Sequence, residues 1–112
     1  LLGGAAGHAG LFMNAYDLAK LLEMLRRGGE YGGRRYLQPE TIAAFTRAQP
    51  DRRRGLGWDK PAALPGLPSP TPPQAHPASY GHQGFTGTCV WVDPARELTF
   101  IFLSNRTYPD PD

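Results

Sequence analysis

The residues with chemical potential concentrate in one run, Tyr80-Gly81-His82-Gln83-Gly84-Phe85-Thr86-Gly87-Thr88. A histidine flanked by glycines at the start of a β-rich stretch is unusual. Glycines there let a second backbone or a ligand approach closely. An imidazole can donate, accept or relay a proton near neutral pH. Taken alone, this local pattern still favours a bulged edge strand with an incidental histidine. A nucleophile is harder to find. The serines are Ser69, Ser79 and Ser104, and none heads Ser-x-x-Lys or lies in Gly-x-Ser-x-Gly. No tyrosine is followed by x-Asn. His8, His76 and His82 lack the paired spacing and carboxylate companions that metal sites use, so no metal is expected, and no cofactor. No phosphate-binding glycine loop is present, and Asn105-Arg106-Thr107 matches a glycosylation acceptor only as a triplet frequent by chance.

The elements that must position this run are legible in outline. Residues Gly3 to Gly10 are Gly- and Ala-rich around His8, which reads as a histidine bonding that backbone, with a pocket-facing role as the lesser alternative. Asn14 predicts a helix N-cap, and Asp17 follows at capping-box spacing. Ala15, Leu18, Ala19, Leu22 and Leu25 then share one helical face, and Gly28-Gly29 supplies the stop after Arg26-Arg27. Tyr31 to Leu37 reads as a turn or short extended connection. A second helix is predicted from Pro39, burying Ile42, Ala43 and Phe45 and ending before Pro50. Gly55-Leu56-Gly57-Trp58 predicts a short strand, and residues 61–79 a Pro-rich loop. Thr86 to Val92 and Leu98 to Leu103 predict an antiparallel hairpin about the turn Asp93-Pro94-Ala95-Arg96. The nearly all-apolar second strand suggests that both its faces are covered. The predicted fold class is α/β, an antiparallel sheet flanked by helices in a layered sandwich.

Composition limits the function classes. The 112 residues suffice for one small domain, here a single unit over 1–112. A net charge of +2 is too near balance to imply nucleic acid. The one basic cluster, Arg52-Arg53-Arg54, reads as a solvated loop. Cys89 is the only cysteine, which excludes an intrachain disulfide and suits a small core hydrophobe. The longest apolar run, Leu98 to Leu103, is too short to span a bilayer, and no signal peptide is visible. The ends, Leu1-Leu2-Gly3-Gly4 and Pro109-Asp110-Pro111-Asp112, suggest a piece of a longer chain, and two helices beside a hairpin leave one sheet face in need of a partner.

Tyr80-Gly-His-x-Gly-Phe-x-Gly-Thr, followed by Val90-Trp91-Val92-Asp93-Pro94 and Phe100-Ile101-Phe102-Leu103-Ser104-Asn105-Arg106, resembles the third motif of serine hydrolases related to class C beta-lactamases and D-alanyl-D-alanine carboxypeptidases. Ala6-Gly7-His8-Ala9-Gly10-Leu11-Phe12, Tyr16-Asp17-Leu18-Ala19-Lys20 and Gly55-Leu56-Gly57-Trp58 are similar, in order, to segments that precede that motif. The resemblance therefore runs along nearly the whole chain and implies a partial beta-lactamase/transpeptidase-like fold. It implies His82 in the place of the motif's lysine, Gln83 of its threonine and Gly84 of its glycine. His82 would act as donor or cation at the pocket, Gly84 would clear the strand, and the Phe85 backbone N–H would give half of an oxyanion hole. Gln83 and Tyr80 would contact substrate. The resemblance further implies an acyl-enzyme mechanism on an amide, peptide, beta-lactam or ester bond, with a serine and its base contributed by the rest of the domain. Its members are mostly periplasmic, envelope-bound or secreted. His82 and Gln83 depart from the motif's lysine and threonine, which implies weaker binding of a substrate carboxylate. A non-catalytic ligand-binding member of the same fold is the alternative, and a structural domain docking through its Pro-rich loop ranks third.

Overall fold

The computed structural model describes residues 10–50, 54–61 and 68–110. Helix α1 spans Ala15–Arg26. Its start follows from Asn14, whose side chain accepts from the Asp17 backbone N–H at 3.0 Å. Its end follows from the glycines: Gly28 and Gly29 adopt φ of 68° and 95°, and the Gly29 N–H returns to the Met24 carbonyl at 2.8 Å. A side chain at Gly29 would strike the Leu37 carbonyl. Of the predicted apolar face, Leu22 is fully buried, Leu18, Ala19 and Leu25 are half-buried, and Ala15 is exposed.

Tyr31 to Leu37 resolves into a miniature hairpin. Strands β1 (Glu30–Tyr31) and β2 (Arg34–Arg35) pair across Gly32-Gly33, both at positive φ as a tight two-residue turn demands. Helix α2 runs Pro39–Thr46 and buries Ile42. Ala43 and Phe45, expected inside, are exposed, while Ala44 and Thr46 are half-buried.

The main sheet holds β3 (Tyr80–Gln83), β4 (Cys89–Asp93) and β5 (Leu98–Phe102), all antiparallel in that order. The hairpin thus forms as the β-branched and aromatic runs predict, although β4 begins at Cys89 and the residues from Phe85 to Gly87 turn instead of extending. Asp93 organises the β4–β5 turn: its Oδ1 accepts from the N–H of Ala95 and Arg96, and its Oδ2 takes Arg96 Nη1 at 2.6 Å. Glu97 closes that turn at φ 53°. The His76 N–H also donates to Asp93, tying the Pro-rich segment to the same turn.

The core is where α1 lies on the sheet. Leu22, Tyr80 and Val92 are buried, with Leu18, Leu25, Trp58, Val90 and Ile101 around them. Removing a side chain as enclosed as Leu22 costs about 2–5 kcal/mol. Polar contacts reinforce the seam. Thr99 Oγ1 on β5 donates to Glu23 on α1, and Glu23 also binds Arg26 and Arg27. The other face of the sheet carries Leu98, Phe100 and Phe102, each about half exposed, so the expectation of a strand covered on both sides holds for one side only. Period-two alternation puts Ile101 inward and its neighbours outward. Among the described residues no helix is long and apolar enough to cross a membrane.

Candidate active site

Strand β3 is held from both sides. On one side it pairs with β4 in the register Tyr80↔Val92, Gly81↔Trp91, His82↔Val90 and Gln83↔Cys89. On the other side Gly81 exchanges both backbone hydrogen bonds with Asp59, at 2.7 and 3.1 Å. Gly81 must be glycine: a Cβ there would meet the Val90 carbonyl and the Trp91 ring. The segment Gly55-Leu56-Gly57-Trp58, expected as a strand, is instead a tight bend bracketed by the pairing of Arg54 with Asp59. Gly57 at φ 83° makes the reversal, and Leu56 N–H bonds the Phe45 carbonyl at the end of α2.

In an antiparallel pair, backbone groups point alternately toward and away from the partner strand. Gly81 points its pair outward, to Asp59, so Gln83 points its N–H and C=O outward too. Gly84 turns back, and its N–H donates to the Thr88 carbonyl at 2.7 Å. The Gly84 carbonyl accepts from the Gly87 N–H at 3.0 Å, which fixes the plane of the Gly84–Phe85 peptide. In a trans peptide the N–H lies opposite the carbonyl. The Phe85 N–H therefore points away from the turn, and among the described residues it donates to no protein group. The Phe85 carbonyl accepts from Arg106 Nε at 2.7 Å, and the same guanidinium lies over the Phe85 ring.

The side chains divide between the faces. His82 is exposed on the α1 side of the sheet, and its Nε2 lies 3.1 Å from Arg54 Nη2. Arginine only donates, so this nitrogen accepts. Arg54 also pairs through Nε with Asp59 Oδ1 at 3.3 Å. Gln83 lies on the opposite face, where it joins Trp91, Cys89, Phe100, Pro70 and Pro72 around an apolar cleft of about 490 Å³. Tyr80 is in the core, 3% exposed, edge-on to Trp58, with its hydroxyl unpartnered among the described residues. Burial pushes its phenol up to about 12. Lys60 is buried beside it; its Nζ donates to the Ala78 carbonyl, and desolvation lowers its pKa.

Of the residues singled out in the sequence, His82, Gly84 and the Phe85 backbone thus share one exposed strand end. Gln83 contributes its backbone to that edge and its side chain to the other face. His8 lies outside the described residues. Sequence reading missed Arg54, which belongs to an arginine cluster expected to be merely solvated. The available signal was Asp59 five residues on, an opposite charge across two glycines. It also missed Arg106, whose partner is 21 residues away. Among the described residues no group of three or more His, Cys, Asp or Glu could hold a metal.

A helix-backed antiparallel sheet whose outer strand ends in Tyr-Gly-His-x-Gly-Phe defines a beta-lactamase-like fold, seen here in part. The family model described as Beta-lactamase matches residues 1–112, and the chain belongs to that family. It is also similar to proteins named Putative D-alanyl-D-alanine carboxypeptidase. Those of Salmonella gallinarum and Salmonella newport are each 40% identical over 111 residues, covering 96% of this chain. The chain spans only about 25% of the length of these curated relatives.

Proposed function

We propose that residues 80–88 form the third-motif wall of a serine hydrolase that works through an acyl-enzyme. The reading is carried by one observation: the Phe85 N–H is held outward beside a bare glycine and, among the described residues, has no protein partner. That N–H is placed to receive the oxyanion of a tetrahedral intermediate, where one such donor contributes a factor of about 10²–10³. Gly84 leaves the strand clear, and the outward N–H and C=O of Gln83 can pair with a substrate backbone lying alongside. His82 faces the reacting groups from the same strand. The nucleophilic serine, its base and the second oxyanion donor come from the rest of the domain, so residues 1–112 alone perform no acyl transfer. The substrate is a small molecule or peptide with an amide, beta-lactam or ester bond. The names of the Salmonella relatives favour a peptide ending in D-alanyl-D-alanine.

The test uses the full-length protein, treated with a fluorescent penicillin and a fluorophosphonate and read by intact mass. A stoichiometric adduct on a serine outside residues 1–112, formed more slowly in His82→Ala, is the expected result. A folded protein that gains no mass from either probe overturns the reading in favour of a non-catalytic ligand-binding member of the family.

A further inference from the structure

The wall contains a charged pair that its motif does not announce. Arg54 stands between a carboxylate and an imidazole: Nε is 3.3 Å from Asp59 Oδ1, and Nη2 is 3.1 Å from His82 Nε2. The Asp59 side chain is 12% exposed and its backbone is pinned to Gly81, so the carboxylate is a fixed anchor. The guanidinium, half exposed, is thereby aimed along the strand at His82. A guanidinium has donors only and stays protonated at any working pH. An imidazole that accepts from it on Nε2 must keep its own proton on Nδ1 and be neutral. No carboxylate among the described residues reaches the ring to stabilise an imidazolium; across the sheet its neighbour is Val90, and the one nearby acid, Asp59, is occupied by Arg54.

We infer that Arg54 is a positioning residue of this site: it holds His82 as the neutral Nδ1–H tautomer and itself brings a fixed positive charge to the His82 end of the wall. This differs from a cationic His82 standing in for a lysine. The ring then offers the site a single donor, Nδ1–H, and the cation sits one residue further out, on a side chain planar enough to take an anionic substrate group in two hydrogen bonds. The charge assignment follows from the geometry alone; only its kinetic consequence rests on the serine-hydrolase reading.

The experiment is tautomer-resolved NMR of the full-length protein labelled with ring-¹⁵N histidine, with His82→Gln used to assign the signal. At pH 8 His82 is expected to show a protonated Nδ1 and an unprotonated, hydrogen-bonded Nε2. Arg54→Ala should abolish that pattern and slow fluorophosphonate labelling by about tenfold, the worth of one charge-assisted hydrogen bond. Arg54→Lys, which keeps a donor and a charge, should recover part of the rate. A wild-type His82 that carries its proton on Nε2, or protons on both nitrogens, overturns the inference without any variant. So does an Arg54→Ala protein with unchanged spectrum and rate. A protein that never labels sinks the hydrolase reading, while the spectrum still decides the role of Arg54.

Discussion

Gly84→Ala separates two reasons for a glycine at the third motif. A Cβ at Gly84 would run into Thr88 Oγ1, while the Thr88 carbonyl oxygen and Cβ stay at 3.5 and 3.7 Å, ordinary contacts. The obstacle is a single side-chain atom, and Gly84 has no positive φ that would forbid alanine. Overpacking of this kind costs about 1–3 kcal/mol, and the stiffer unfolded chain returns about 0.4–1 kcal/mol. The net expectation is a destabilisation of about 1–2 kcal/mol. Thr88→Ala removes the obstructing oxygen, so the double variant Gly84→Ala/Thr88→Ala should recover most of that loss. Activity should not follow. The new methyl sits on the exposed strand end where the proposed substrate lies, and misplacement of about 1 Å there costs about 10²-fold. Urea midpoints and fluorophosphonate labelling constants of the full-length protein and its three variants decide the matter. Wild-type labelling in the double variant would show that the glycine serves only the Thr88 contact and would refute the cleared-edge reasoning. Unchanged stability in Gly84→Ala would refute the packing argument.

Two other outcomes test the frame around the site. Glu23, bound first by Arg26 and also by Arg27 and Thr99, is held at about 2, below its ordinary 4.5. A depressed folded-state value means stability that is present above the unfolded value and is lost as pH falls from about 5 toward 2. With a side chain 25% exposed, screening reduces the contribution to ~1–2 kcal/mol, so Glu23→Gln should lower unfolding free energy by that amount at pH 7 and by only about a quarter of it at pH 2.5. Denaturant titrations at the two pH values check it, and an equal loss at both would count against the ion-pair account. Tyr80→Phe removes a buried hydroxyl that has no partner among the described residues. It should be neutral or stabilising by up to about 1 kcal/mol and leave KM unchanged, whereas a raised KM would restore Tyr80 to the substrate contacts that its place in the motif suggests.

What the sequence disclosed depended on how local its cause was. The α1 cap, the Gly28-Gly29 stop and the β4–β5 turn are set by residues within a few positions, and all three are legible. Gly55–Trp58 is expected as a short strand and forms a bend. Its pairing is decided by Gly81, more than twenty residues away, which no local pattern encodes. Phe45 is large, apolar and three residues from Ile42, so it shares that side of the helix, yet it stays half exposed. In the candidate site, the His-x-Gly-Phe run stands out only through its resemblance to a family motif, and no motif in the sequence singles out Arg54 or Arg106. Each acts across the fold on a histidine or a carbonyl, and an arginine in a basic or polar run gives no sign of which acceptor it will meet.

The bracket from Arg54 to Asp59 links these observations. A sheet edge presents unpaired backbone groups, and a protein must either cover them or use them. Here Asp59 covers the β3 edge at Gly81, and among the described residues the outward groups of Gln83, two residues on, have no backbone partner, as the proposed substrate pairing requires. The same short loop then folds back through Arg54 to the His82 side chain. One tight bend therefore holds both the Asp59–Gly81 pairing and the Arg54 contact to His82, the first side chain beyond it. A change in its length would move the two together, which makes Gly57, at φ 83°, the residue on which the geometry of the wall turns.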